Sequence, residues 1–292
     1  MSRATLTSGV VVLSAIFTVL ALSAAVVADD DRFPLRKKWP DLIPISTSEL
    51  ASARSSNQAI VVDVRTAAEY EILHIAESHH FPHDAFLSRN AEFSALTEQP
   101  HRLLVFYCNG TTCAKSYKAA EIATQLGFKG ARVYDGGIFE WATAYPEETI
   151  YFGRKMTKAM VQQYVVDEED FDKGPWLVDS VRFIEMARSG DYKVFDLRDP
   201  RERAEYDIKL PDLKVATIDE LAKHLERGDF PKTRVLMLDN VGKQVIWAKY
   251  YLDQHGVKDY FFLRGGVRQW RAEGLDSRGD KLQKVFGRPT AK

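Results

Sequence analysis

One stretch of this chain returns later in the same chain, and that repetition leaves few ways to fold it. AIVVDVR, ending at Arg65, recurs as YKVFDLR, ending at Arg198, and each carries a glutamate six residues beyond its aspartate, Glu69 and Glu202. LLVFYC, ending at Cys108, recurs as RVLMLD, ending at Asp239, and GGIFEW (Gly136 to Trp141) recurs as GGVRQW (Gly265 to Trp270). The landmarks keep their order, so the chain reads as a tandem duplication of a domain of about 110 residues. Its 292 residues suit two domains at a norm of about 150 residues each.

Short apolar runs alternate with helical patterns of about 10 to 15 residues, which predicts an α/β class: parallel sheets with crossover helices, and a ligand crevice at the carboxyl ends of the strands. KSYKAAEIATQLGF puts Ala119, Ile122, Ala123 and Leu126 on one face of a helix beginning near Lys115, closed by Gly127 as its counterpart is closed by Gly256. The spacing between copies is 131 residues from Cys108 to Asp239 and 129 from Gly127 to Gly256. A helix does not absorb two extra residues without turning its buried face, so the pair is expected in the loop just after Cys108. The boundaries predicted are a first domain over 45–146, a linker over 147–176 and a second domain over 177–278. In the linker, KMTKAMVQQYV reads as one short helix and DEEDFD as a solvated face.

Composition enters as a filter. Forty Lys and Arg against 41 Asp and Glu leave a net charge of −1, which argues against a nucleic-acid groove or a polybasic membrane patch. Two cysteines exclude a disulfide framework and a four-cysteine zinc site. Residues 1–28, with Arg3 ahead of an uncharged run from Ala4 to Ala28, read as a cleaved signal peptide or a retained N-terminal anchor. The expected location is therefore periplasmic or secreted, with membrane attachment only if that segment is kept.

Cys108 ends a strand, and NGTTCA must turn sharply from it into the next helix, leaving backbone N–H groups aimed into the loop mouth. Such an anion cradle favours thiolate over thiol and is expected to depress the pKa of Cys108. The candidate site is Cys108 as nucleophile with Asn109, Gly110, Thr111, Thr112, Cys113, Ala114 and Lys115 as the loop around it. Gly110 frees the turn, and the Thr111 and Thr112 hydroxyls add donors. Three readings of Cys113 stand side by side: a resolving thiol, one half of a static disulfide, or a bystander packed under the loop. His74, His79, His80 and His83 cluster in HIAESHHFPH, but adjacent histidines on a strand face opposite ways, so no metal is assigned. Asp63 with Arg65, and Asp196 with Arg198, read as ion-paired strand ends, since both copies keep them while only one keeps its cysteine. Trp141 and Trp270 read as core. No Ser/His/Asp triad or glycine-rich nucleotide loop is present at the required spacing.

DVRTAAEYEILHIAESHHFP, LLVFYC with its loop and helix, and VYDGGIFEW together resemble the rhodanese (thiosulfate sulfurtransferase-like) domain, and FDLRDPRERAEY, VLMLDNVGKQ and FLRGGVRQW resemble it again. The resemblance implies two rhodanese-like domains, each a central parallel sheet flanked by helices, with a cysteine that carries sulfane sulfur from a thiosulfate-like donor to a thiol or cyanide-like acceptor, a protein thiol included. Carried onto this chain that cysteine is Cys108, with no cofactor implied. Asp239 stands at the matching position of the second copy, which implies a silent domain. Lys115 stands where an arginine often closes the loop, a point charge in place of a fork. Beside the sulfurtransferase stand a thiol-disulfide protein using Cys108 and Cys113, a phosphatase-type cradle weakened by the missing arginine, and a non-catalytic sulfur carrier or docking module.

Overall fold

The computed structural model describes residues 32–86, 90–96, 102–128 and 130–275; the expected leader lies outside them. The described residues divide into two compact units, one drawn from 32–65 and 77–144, the other from 66–76 and 145–275. The first opens with β1 (Ile43–Pro44), α1 (Thr47–Ser55) and β2 (Ala59–Asp63). Next in the chain come α2 (Ala67–Ile72) and β3 (Leu73–Ile75), which belong to the second unit. The first unit resumes with β4 (His79–His80), α3 (Asn90–Leu96), β5 (Leu103–Tyr107), α4 (Lys115–Gln125), β6 (Arg132–Tyr134) and α5 (Gly137–Ala144).

Its sheet runs β1-β6-β5-β2-β4 with every neighbour parallel. All five residues of β2 are buried, as a parallel strand covered on both faces requires, which is why AIVVD is a continuous apolar run without alternation. The register aligns Asp63 with Tyr107 and Tyr107 with Tyr134, so three strands end together. Phe81, Phe86, Phe93 and Phe106 fill one side of the sheet with ring centroids 4.8 to 6.1 Å apart, the separation at which tilted rings gain most from their quadrupoles.

The second unit continues with β7 (Thr149–Tyr151), β8 (Arg154–Lys155), α6 (Lys158–Tyr164), α7 (Glu168–Asp172), β9 (Leu177–Val178), α8 (Ser180–Ser189), β10 (Lys193–Asp196), α9 (Pro200–Glu205), β11 (Lys214–Val215), α10 (Ile218–Arg227), β12 (Thr233–Leu238), α11 (Gln244–Gln254), β13 (Lys258–Leu263) and α12 (Gly266–Ala272). Its parallel sheet runs β11-β10-β12-β13-β9. Taken from the β9 edge this is the same order of roles as in the first sheet: opening strand, last strand, the strand ending in Cys108 or Asp239, the Asp-Arg strand, and a short edge strand.

The stretch 147–176 is more structured than a linker with one helix. Besides the expected α6, it supplies β7, which pairs antiparallel with β3 and with β8, and α7, whose Phe171 is fully buried against Trp176 and Phe262. A two- or three-residue strand gives little periodicity to read, and β3 needs β7 to satisfy its edge.

Helix α4 begins at Lys115, as expected, and Gly127 and Gly256 take positive φ values of 93° and 67° just beyond their helices. The predicted buried face is rotated, however. Ser116, Tyr117, Ala119, Ala120 and Ala123 are buried, while Ile122 is half-buried and Leu126 is 41% exposed. The alanines let α4 lie close on the sheet, and the bulky aliphatics are left on its flank. Glu69 and Glu202, the repeated glutamates, prove to be the third residues of capping boxes on Thr66 and Asp199, each closing a helix start reciprocally.

At the end of β2 the Arg65 guanidinium lies on the Asp63 carboxylate, with Nη2 to Oδ2 at 2.6 Å and Nε to Oδ1 at 2.9 Å, and both residues are 0% exposed. Asp196 and Arg198 reproduce the pair with Nη2 to Oδ2 at 2.7 Å and Nε to Oδ1 at 2.9 Å. Breaking a buried pair strands a charge. Arg65→Met is therefore expected to lower unfolding free energy by about 3–5 kcal/mol in urea, and Asp63→Leu combined with Arg65→Met to recover part of that loss.

Candidate active site

The carboxyl end of β5 carries Cys108, with the loop 109–114 between it and α4. In the second unit only 240–243 separate Asp239 from α11. The two extra residues thus sit in the loop after Cys108, where the unequal spacing of the repeats put them. Both loops are pinned from below by a glycine pair. Ile138 N–H donates to the Cys108 carbonyl at 3.1 Å and Val267 N–H to the Asp239 carbonyl at 2.9 Å. The second glycine of each pair, Gly137 or Gly266, has φ of 71° or 63°, and a Cβ on Gly137 would stand 2.4 Å from the Asn109 carbonyl oxygen. Only glycine lets the chains approach this closely. Neither glycine was singled out from the sequence, where the repeated GG was the available signal.

Cys108 is 1% exposed. Its Sγ donates to the Cys113 carbonyl oxygen at 3.1 Å and lies 3.3 Å from Ser116 Oγ. Burial pushes its pKa well up, and the Cys113 interaction adds to the rise. This corrects the expectation of a depressed Cys108. The strand end lies beneath the loop rather than in its mouth, and desolvation of the thiolate outweighs the help of the Ser116 hydroxyl and amide.

The depressed thiol is Cys113. It is half-buried at the loop's far end, just ahead of α4, and its N–H closes a turn on the Gly110 carbonyl at 3.0 Å. Its pKa falls to about 7, first because the Cys108 thiol hydrogen-bonds it, then through the backbone at Asn109 and Lys115 and the positive charge of Lys115. The anion cradle expected around Cys108 thus serves its neighbour, and the two thiols share the site. Both cysteines are free, so a static disulfide is not what this structure holds.

Among the other loop residues, Asn109 is buried with Oδ1 at 3.5 Å from Arg65 Nη1, which ties the loop's start to the ion-paired strand end. Gly110, Thr111, Ala114 and Lys115 are half-buried, and Thr112 is exposed. Ser116, against the Cys108 sulfur at 3.3 Å, was not picked from the sequence. In the second unit the Asp239 carboxylate fills its own loop, accepting from the N–H of Gly242 (2.5 Å), Gln244 (2.6 Å) and Val245 (3.3 Å). Trp141 and Trp270 are buried, 0% and 1% exposed. The histidines have separate tasks: His74 stacks on Tyr70 and bonds its carbonyl at 2.6 Å, His80 Nε2 bonds the Arg65 carbonyl at 3.0 Å, and His79 is exposed. Among the described residues no group of three or more His, Cys, Asp or Glu is arranged to hold a metal.

The model of the rhodanese-like domain family matches residues 46–144, the stretch that holds this loop. The thiosulfate sulfurtransferase GlpE of Pseudomonas savastanoi is 31% identical to the chain over 102 residues, which are 35% of this chain and 90% of that protein. The chain belongs to the rhodanese-like family. Another relative, the HTH-type transcriptional regulator Rv0324 of Mycobacterium tuberculosis, is 32% identical over 100 residues, 34% of this chain, and the chain spans only 42% of that protein's length. Among solved structures, the human single-domain sulfurtransferase TSTD1 is 30% identical, with a TM-score of 0.29, over 34% of this chain and 93% of that one. The rhodanese-like match ends at Ala144, so of the second unit it takes in residues 66–76 and none of the stretch from 145 onward.

In this rhodanese-like site, alkylation by iodoacetamide is expected at Cys113 before Cys108, with a midpoint near the value of about 7 and a rate that falls below it as the thiolate is protonated. In Cys108→Ala the largest source of that depression is gone, so the Cys113 midpoint should move toward an ordinary thiol. Peptide-resolved mass spectrometry across a pH series measures both.

Proposed function

We propose that this chain is a sulfurtransferase that moves sulfane sulfur from thiosulfate or a similar donor to a thiophilic acceptor through a persulfide on Cys108. The observation that carries the reading is the pair of free cysteines at the carboxyl end of β5, with the Cys108 Sγ donating to the Cys113 carbonyl at 3.1 Å, ahead of a helix start, in a domain of the rhodanese-like family. The sulfurtransferase named among its relatives supports the donor class.

Cys113, its pKa lowered to about 7, ionises first, and Cys108, raised by burial, keeps its proton. Shift of that remaining proton from Cys108 to the Cys113 thiolate makes Cys108 the nucleophile. Its sulfur attacks the outer sulfur of thiosulfate, the donor's S–S bond breaks, and sulfite leaves with the bonding pair. Lys115 and the helix start at Ala114 face negative charge arriving at the loop. The acceptor, a thiol or cyanide, then takes the outer sulfur and returns the thiolate. No organic cofactor enters these steps.

We further propose that the second unit is a second copy of the same fold and catalytically silent. Its strand order, its Asp196–Arg198 pair and its Gly265-Gly266 approach support the first part; the Asp239 carboxylate supports the second, because it already occupies the donors that an anionic sulfur would need and is itself a poor sulfur acceptor. The uncharged run from Ala4 to Ala28 supports a site of action in the periplasm or outside the cell. Two free cysteines in one loop, with the Cys108 Sγ on the Cys113 carbonyl, also favour a thiol-disulfide reading of the site, in which the pair is oxidised to one bridge.

The test is sulfite release from thiosulfate with cyanide as acceptor. Wild type and Asp239→Asn are expected to release sulfite and form thiocyanate, and Cys108→Ser to fall to background. Equal turnover by Cys108→Ser would remove Cys108 from the reaction.

A further inference from the structure

The site contains one more thiol than sulfur transfer needs. Cys113 is not a distant surface cysteine: its carbonyl oxygen accepts from the Cys108 Sγ at 3.1 Å, its N–H closes a turn on the Gly110 carbonyl in the same loop, and its pKa is lowered to about 7. Cys108, 1% exposed, is screened from a bulky external acceptor by the same arrangement. Whatever attacks the inner sulfur of a persulfide on Cys108 most readily is therefore already in the loop.

We infer that the Cys108–Cys113 pair has a second activity, the reductive release of bound sulfane sulfur as sulfide, with Cys113 as the attacking thiolate and an external dithiol as the reductant that resets the site. The inference rests on the sulfurtransferase reading above, since the persulfide must form first. In the step, the Cys113 thiolate attacks Sγ of the Cys108 persulfide. A bond forms between the two cysteine sulfurs, the bond to the outer sulfur breaks, and the outer sulfur leaves with the electron pair and takes up a proton as hydrosulfide. The sulfane sulfur gains two electrons, and the two cysteines together lose two, ending as a disulfide. The external dithiol then reopens that disulfide by exchange and is itself oxidised.

The alternative attack, on the outer sulfur, would merely pass the sulfur to Cys113 and would have to expel the Cys108 thiolate. That exchange leaves the sulfane sulfur in the loop, whereas hydrosulfide, the conjugate base of a stronger acid than an ordinary thiol, can leave it. Since exchange is faster when the leaving sulfur is less basic, the inner sulfur is the productive target.

The experiment is a single turnover on the full chain, reduced beforehand and freed of reductant, given thiosulfate alone. Sulfite and trapped sulfide are measured, and the intact mass is taken under non-reducing conditions. Wild type is expected to release sulfite and sulfide in equal amounts and to lose two hydrogens. Cys113→Ser and Cys113→Ala are expected to release sulfite, keep one added sulfur and yield no sulfide, with loading of Cys113→Ser accelerating as pH rises, because Cys108 then has to ionise without its partner. If wild type keeps the added sulfur and yields no sulfide, the second activity is wrong and the sulfurtransferase stands. If Cys108→Ser loads sulfur on Cys113, the assigned order of the two thiols is wrong. If neither wild type nor the Cys113 variants release sulfite, the sulfurtransferase reading itself fails.

Discussion

A guanidinium held flat against a carboxylate, out of water, at the carboxyl end of a central strand fixes what each sheet can present to its surroundings. Asp63 takes both the Arg65 side chain and the Arg65 backbone N–H, at 3.0 Å, so the chain must turn where the strand stops. From that corner Arg65 reaches the first loop residue, Asn109, and its carbonyl holds His80. The Asp196–Arg198 pair uses its spare Nη1 differently, on the Tyr206 carbonyl at 2.7 Å, and there Asn240 bonds Glu202 at 3.1 Å. One buried pair, used twice, supports two different loops. Its desolvation cost is tolerable because nearly every oxygen and nitrogen in it is spoken for.

How far this was legible in the sequence follows from which forces leave a local mark. The Asp-x-Arg strand ends, the loop length difference, the start of α4 at Lys115 and the buried tryptophans all show in residue type and spacing, and the repetition of each landmark doubles the signal. The repeated glutamates were visible without a meaning until Thr66 and Asp199 proved to cap with them. What the sequence hides depends on distances across the fold. The rotation of α4, which exposes Leu126 and buries Ala120, is set by how close an alanine face can come to the sheet. The strand β7 exists because β3 offers it an edge, and β8 pairs on β7 in turn. Gly137 is required because Asn109 passes within a carbon's width of it.

The acidity of the two thiols is the clearest case. Residue types and spacing place both cysteines at an amide-rich turn, and from that alone the strand-end cysteine is the natural owner of the cradle. At Cys108 removal from water dominates, whereas at Cys113 the interaction with the Cys108 thiol, then the backbone at Asn109 and Lys115 and the Lys115 charge, outweigh burial. Desolvation and dipoles act on the same element with opposite signs, and burial decides between them.

Asp239 shows what the same loop position does when its side chain carries the charge itself. Three backbone N–H groups close on the carboxylate in a loop two residues shorter, and the cradle is full. Burial still raises its pKa against those donors, so even a ready-made anion is held there at some electrostatic cost. Cys108 does not fill its loop in this way: its thiol donates to the Cys113 carbonyl, and the longer loop brings a second sulfur into the same turn. The two extra residues are thus the physical difference between a closed loop and a reactive one: they carry the chain far enough from Cys108 for residue 113 to fold back over it, and so convert a single buried thiol into a pair with a proton to exchange.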